Sequence, residues 1–184
     1  EITTGMGRTG KWFGFQHYDY QPDLVSIGKG LGNGYPVSAI AMRQEVAQKL
    51  EAGDFHYVQS HQNDPLGCAI AREVIATMRE GNWIEKGRQS GAYLLDGLKR
   101  LEQKYAVVKE VRGRGALLGL ELVPHDRLDA SRFYHALVEK GFLVGYYPAG
   151  NMLRFDPSFT IERESIDALL KCMDEILESE TCDS

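Results

Sequence analysis

The chain has 184 residues, enough for one domain of ordinary size or two small ones, and its 43% apolar and 26% charged residues are the balance of a globular protein that can bury a core. A formal net charge of -5 argues against a nucleic-acid binder, which carries a basic surplus, and no apolar run approaches the roughly 18 residues of a membrane span. Cys68, Cys172 and Cys182 are the three cysteines; an odd number without CxxC spacing fits reduced thiols in the cytoplasm better than a disulfide framework.

Residues 1–11 form a glycine- and threonine-rich loop. Asp23 to Ile27 is a strand candidate, with Pro22 allowed at its start. Its near-continuous apolarity suits a strand covered on both faces, as in a parallel sheet. Val37 to Met42 is a second candidate. Asn63-Asp64-Pro65 signals a helix start, and Leu66, Ala69, Ile70, Val74, Ile75 and Met78 continue it with helical spacing to Gly81. Cys68 and Cys172 lie among apolar residues and are expected to pack; Cys182, in a polar tail, is expected to be exposed.

A second helix carries Ile84, Leu94, Leu95, Leu98, Leu101 and Tyr105, with Gly87 and Gly91 weakening its first half. After residue 106 the character changes. Val107 to Val111 and Ala116 to Val123 read as strands around the turn Arg112-Gly113-Arg114-Gly115. Ala130 to Lys140 is a helix stopped by Gly141. Phe142 to Tyr147 and Met152 to Phe155 are two further strands, joined through Pro148-Ala149-Gly150. Thr160 is the expected cap of a last amphipathic helix bearing Ile166, Leu169, Leu170, Met173, Ile176 and Leu177, with Glu162 and Glu164 in its first turn, where the helix dipole favours them. The first part therefore reads as half of an α/β layer, and the last as a small α+β domain.

The stretch VSIGKGLGNGYP, Val25 to Pro36, stands out. A single lysine, Lys29, follows an apolar run and is held between glycines. Three readings compete: a surface lysine in a loose loop, a phosphate loop, and a Schiff-base lysine. The phosphate reading is weak, because the spacing matches neither GxxxxGK[ST] nor GxGxxG followed by an acid. The third has a physical basis. The carboxyl end of a strand is where α/β proteins place ligands, an amine with a lowered pKa attacks carbonyls, and glycines let backbone approach a flat group.

The blocks EITTGMGRTGKWFGF, PDLVSIGKGLGNGYPVSAI, SHQNDPLGCAIA, VKEVRGRGALLGLELV and NMLRFDPSFTIERESID resemble, in order and spacing, the class III pyridoxal-phosphate aminotransferases, such as the acetylornithine, ornithine and 4-aminobutyrate enzymes. The resemblance implies a fold-type I α/β transferase, with residues 1–80 as the C-terminal part of the large cofactor-binding domain. Residues 81–184 would be a connecting helix and a small C-terminal α+β domain. Lys29 would form the internal aldimine with pyridoxal 5'-phosphate and shuttle the proton afterwards, which is acid–base work by an amine; the cofactor is the electron sink. Ser60, five residues before Pro65, takes the place of a threonine that binds the cofactor phosphate across a homodimer. Thr3 stands where the family has a glutamine contacting the ring oxygen. Arg154 matches an arginine that clamps a substrate carboxylate, a task suited to planar bidentate donors; the bland alternative is a strand arginine paired with Asp156.

The implied reaction moves an amino group from an amino acid or ω-amine to an oxo acid such as 2-oxoglutarate, by a ping-pong path, with no metal. His56 and His61 read as structural or rim residues rather than metal ligands. Arg112 and Arg114 read as turn and domain-contact residues, and Arg8 as a loop staple or dimer-interface residue. Glu1 matches the glutamate of the family's Asp-Glu block, so the chain reads as the downstream part of a longer polypeptide whose ring-binding aspartate lies one residue earlier. Asp156 departs from the family's Pro-Pro-Leu. Two other functions compete: a mutase or racemase of the same fold, although mutases usually lack the segment seen here as Gly7 to Gly10, and a non-catalytic binding subunit.

Overall fold

A computed structural model describes residues 1–181; Cys182 lies outside the described residues. The chain divides after Ile84 into two compact units. The first contains β1 (Leu24–Ile27), β2 (Ala39–Met42), α1 (Gln44–Ala52) and α2 (Pro65–Glu80). The second is built from α3 (Trp83–Lys104, whose first residues precede the division), β3 (Val108–Arg114), β4 (Leu117–Leu122), α4 (Ala130–Glu139), β5 (Gly145–Tyr147), β6 (Met152–Phe155) and α5 (Arg163–Thr181).

In the first unit β1 pairs antiparallel with β2, Leu24 opposite Met42 and Ile27 opposite Ala39. The neighbour that β1 has within this chain is thus antiparallel, where the sequence suggested a parallel one. Of β1 only Ile27 is buried, and all of β2 is exposed. Val25, on the same face as Ile27, is half-buried beside it. Met6, Ile27 and Leu31 form a small core, closed by Trp12, Val37, Ala71, Val74, Ile75 and Met78.

The first turn of α2 follows the sequence closely. Asp64 is the N-cap and accepts a hydrogen bond from the Gly67 N–H at 3.1 Å, and Pro65 occupies the first turn, where its missing N–H costs nothing. Cys68 is exposed rather than packed. The packed stripe of α2 runs through the buried Gly67 and the half-buried Ala71, Val74, Ile75 and Met78, and Cys68 falls outside it. Helix α1 was not legible in advance. No side chain caps it and none of its residues is buried; the apolar side, Val46, Ala47 and Leu50, is only half-buried.

The second unit is a four-stranded antiparallel sheet in the order β3-β4-β6-β5, with the helices on one face. Alternation along the strands decides the faces. Leu118, Leu120 and Leu122 of β4, with Leu153 and Phe155 of β6, point into a core shared with Leu94, Leu98 and Leu101 of α3, Phe133 and Leu137 of α4, and Met173 and Leu177 of α5. Gly119, Met152 and Arg154 point the other way.

Helix α3 is continuous through Gly87 and Gly91, against the doubt those glycines raise. Both are required by close approach. A β carbon at Gly87 would lie 2.5 Å from the Phe159 ring, and one at Gly91 would lie 2.0 Å from the Gly115 carbonyl oxygen. The strand expected over Phe142 to Tyr147 shortens to β5, because Gly141 and Phe142 spend their N–H groups closing the end of α4. Thr160 does not cap the last helix. Helix α5 begins at Arg163, Glu162 sits just ahead of it, and the Glu162 carbonyl receives the first N–H groups.

Asn151 ties three segments together. Its φ of 44° is left-handed, a conformation that asparagine tolerates. Its Oδ1 accepts from Ala130 N–H at 2.7 Å, while Nδ2 donates to the carbonyls of Leu122 and Val123, each at 3.2 Å. Removing these contacts leaves partly buried groups unpaired, so Asn151→Ala is expected to cost about 2–4 kcal/mol, read as a lowered urea midpoint.

Asp174, midway along α5, ties down the end of α3. Its carboxylate accepts from Lys104 Nζ at 2.8 and 2.9 Å and from the Tyr105 hydroxyl at 2.8 Å. The Lys104 ammonium holds the Asp174 carboxyl below its ordinary range, against the opposing effect of partial burial, and the Tyr105 hydroxyl adds to the lowering. A carboxyl with a depressed folded pKa stabilises the fold above its unfolded value, near 3.9, and loses that contribution as pH falls through the folded value. Melting temperature is therefore expected to fall below about pH 4, and Asp174→Asn to flatten that part of the profile.

Candidate active site

Lys29 follows directly on β1 and opens a short 3-10 turn, Lys29–Leu31. Gly28 ahead of it is buried and extended, and Lys29 itself has a φ of 44°. A non-glycine residue held left-handed costs of order 1 kcal/mol. Its side chain is exposed, and Nζ donates to the Thr3 hydroxyl at 3.0 Å, across 26 residues of sequence. The loop beyond is tight: the Tyr35 N–H donates to the Gly32 carbonyl at 3.0 Å, and a β carbon on Gly32 would fall 2.0 Å from the Tyr35 carbonyl oxygen.

Thr3 is held in place by its neighbours. The Glu1 carboxylate accepts from the Thr4 hydroxyl at 2.5 Å and from the N–H groups of Gly14 and Phe15 at 2.8 and 3.0 Å. Partial burial raises the Glu1 carboxyl, but these hydrogen bonds outweigh it and hold it below its ordinary range. Thr9 is buried, and His17 Nε2 lies 3.1 Å from both its carbonyl and its hydroxyl. The loop that presents Thr3 to Lys29 is thus cross-braced by side chains.

Ser60 lies in an exposed turn. Gln62 N–H donates to Gln59 at 3.3 Å and Asp64 N–H to His61 at 3.2 Å. Among the described residues no hydrogen bond joins Ser60 to Lys29, but its segment is fastened to the lysine loop one turn further on. The Tyr35 hydroxyl donates to Asp64 at 3.3 Å, the carboxylate that also caps α2. Burial, reinforced by the Asp64 charge, pushes the Tyr35 hydroxyl up. His56 pairs with Asp54 at 2.7 Å on the surface.

Arg154 belongs to the second unit. Its Nη2 donates to Asp156 at 3.0 Å and its Nη1 to the Tyr147 hydroxyl, while its guanidinium sits 5.4 Å from the centre of the Tyr147 ring. The pairing with Asp156, the bland alternative from the sequence, is therefore formed. Arg112 is paired with Glu110 and Glu121, each at 2.7 Å.

Residues 1–177 match the family model for class-III aminotransferases. The chain belongs to the class-III aminotransferases. The acetylornithine aminotransferase of Caldanaerobacter subterraneus subsp. tengcongensis is 37% identical over 177 residues, which are 96% of this chain and 43% of that protein. The leucine/methionine racemase of Thermococcus litoralis is 32% identical over 174 residues, 91% of this chain and 38% of that protein. A solved Bacillus anthracis aminotransferase superposes with a TM-score of 0.89 at 31% identity, covering 97% of this chain and 44% of that one. The chain thus spans less than half the length of the relatives it matches, and the fold is that of the fold-type I transferases.

Class-III aminotransferases depend on pyridoxal phosphate, and the residues of this class-III chain fit that group. The donor set is an exposed primary amine at a strand's carboxyl end, with a hydroxyl 3.0 Å away. The sequence of the class-III motif did not show the Tyr35–Asp64 hydrogen bond, the bracing by Glu1, or the Tyr147 contact to Arg154. The first has a partial signal, because Asp64 reads as a cap; its second role depends on a residue 29 positions away.

Proposed function

We propose that the full protein is a pyridoxal-phosphate-dependent aminotransferase that moves an amino group from an amino acid or ω-amine to an oxo acid such as 2-oxoglutarate by a ping-pong path. The observation that carries this is the Lys29 amine, presented at the end of β1 beside the Thr3 hydroxyl, in a loop of a chain that belongs to the class-III family. The cofactor, when bound, supplies the electron sink. Lys29 holds it and afterwards carries a proton to and from the substrate carbon, a role an amine within reach of the reacting atom can fill. Thr3 accepts from Lys29 Nζ and would contact a ring oxygen of the cofactor. Ser60 contributes a hydroxyl to the cofactor phosphate across a homodimer, and Arg154 takes a substrate carboxylate.

Residues 1–80 act as part of the large cofactor-binding domain and residues 81–184 as the connecting helix and small domain, in a cytoplasmic enzyme. Among the described residues no helix is long and apolar enough to cross a membrane. Borohydride reduction of the full protein loaded with pyridoxal phosphate, followed by peptide mapping, is expected to leave the pyridoxyl label on Lys29; a label elsewhere, or none, sinks the assignment. Similarity to the Thermococcus litoralis racemase keeps a second reading, racemisation on the same site. Stoichiometric release of an oxo acid from the amino donor separates the two, since racemisation releases none.

A further inference from the structure

The loop that carries Lys29 has two anchors. On one side, Leu31 is buried in the small core beside Met6 and Ile27. On the other, Tyr35 is half-buried, and its ring edge lies against the first turn of α2, where a β carbon on Gly67 would fall 3.6 Å from Tyr35 Cε1. Between them the tip at Asn33 and Gly34 is exposed and left-handed, and a β carbon at Gly34 would meet no atom within 4 Å. Packing therefore does not hold the tip. Backbone hydrogen bonds carry the second anchor back to the lysine: the Tyr35 N–H donates to the Gly32 carbonyl at 3.0 Å, and the Gly32 N–H to the Lys29 carbonyl at 3.1 Å. Oδ2 of Asp64 receives both the Tyr35 hydroxyl, at 3.3 Å, and the Gly67 N–H, at 3.1 Å. Among the described residues no other hydrogen bond joins residues 28–38 to residues 59–67. Burial and the Asp64 charge push the Tyr35 hydroxyl up, so it stays a donor at neutral and mildly alkaline pH.

We propose that Tyr35, through its hydrogen bond to Asp64, is a positioning residue for Lys29: the pair holds the lysine loop in the conformation that presents the amine, beside Thr3, to the aldehyde of pyridoxal phosphate. The backbone makes such a tie necessary. Lys29 has a φ of 44°, and a strained conformation of that kind persists only where its surroundings over-determine it. Without the Tyr35–Asp64 bond the loop populates relaxed conformations, and the fraction of molecules competent to react falls. The step affected is the joining of lysine and cofactor. The Lys29 amine attacks the aldehyde carbon, a C=N bond replaces the C=O bond, and the aldehyde oxygen leaves as water with the two amine hydrogens. Tyr35 and Asp64 act on this step only through the loop backbone. The inference deepens the aminotransferase reading and rests on it for the role of Lys29.

The test uses the full protein, stripped of cofactor, as wild type, Tyr35→Phe, Asp64→Asn and Asp64→Ala, at a temperature well below every variant's melting transition. Pyridoxal phosphate is added, the reaction is quenched with borohydride at intervals, and the pyridoxyl label on each lysine is followed by peptide mapping. Tyr35→Phe is expected to slow labelling of Lys29 about tenfold, the size of one hydrogen bond to a charged acceptor, and to leave labelling of the exposed Lys171 unchanged. Asp64→Asn keeps an oxygen that accepts from both groups, and is expected to label near the wild-type rate. Asp64→Ala is expected to be at least as slow as Tyr35→Phe, and adding Tyr35→Phe to it to slow labelling no further. Labelling of Lys29 at the wild-type rate in Tyr35→Phe overturns the proposal. So does Asp64→Asn as slow as Asp64→Ala, or a slowing shared by Lys171. No label on Lys29 in the wild type sinks the proposal and the aminotransferase reading together. The expected order of rates in a protein that does not transaminate would sink the aminotransferase reading and leave the positioning role intact.

Discussion

Lys29→Ala is expected to lower kcat for transamination in the full protein by at least about a thousandfold, the upper part of the range for loss of a positioned acid–base group, while leaving the melting temperature of the cofactor-free protein nearly unchanged. The two halves of this expectation have separate physical origins. The amine is exposed and its hydrogen bond to the Thr3 hydroxyl is the contact that ties it to the fold. Surface substitutions of that kind stay within about 0.5 kcal/mol. The left-handed backbone at position 29 is kept by alanine, so no strain is added or released. Recovery of part of the rate on adding methylamine would show that the missing element is an amine and not a deformed loop. A variant retaining most of its kcat would remove Lys29 from the chemistry.

Gly91→Ala is expected to be among the most damaging small substitutions in the second unit. Alanine is the better helix former by about 1 kcal/mol, so on an exposed helix the change would stabilise. Here the new β carbon would fall 2.0 Å from the Gly115 carbonyl oxygen and 2.8 Å from the Ala116 nitrogen. Both are backbone atoms of the β3–β4 turn, so relief requires α3 to move off the sheet that buries Leu94 and Leu98. Overpacking of this kind costs about 1–3 kcal/mol beyond the helix gain, which corresponds to roughly 4–8 °C of melting temperature per kcal/mol for a unit of this size. Gly97→Ala is the control. Its β carbon would meet the tip of Leu170 at 2.2 Å, a flexible side chain that can turn away, so its loss is expected to be much smaller. Equal losses at the two positions would show that helix propensity, not backbone clearance, governs this helix.

The sequence by itself determined what depends on local chemistry. The Asp64-Pro65 start of α2 is a matter of one cap and one missing N–H, and both act within a single turn. The stripes of α3 and α5 and the alternation of β4 and β6 follow from periodicities of 3.6 and 2, which need no partner to be visible. Lys29 stood out for a related reason, since one ammonium among glycines after an apolar run is a local contrast, and the agreement of several blocks supplied the family. Tertiary structure decided whatever depends on residues far apart in the chain. That β1 pairs antiparallel with β2 and stays largely exposed, that Cys68 faces solvent while Cys172 is buried, and that α1 exists without a buried stripe are outcomes of what packs where. The same holds at the site. The Thr3 hydroxyl reaches Lys29 across 26 residues, Tyr35 fastens the lysine loop to the cap of α2, and strand register places Arg154 between Gly119 and Gly145. A sequence lists donors and acceptors; only the folded chain fixes the distances that turn them into pairs.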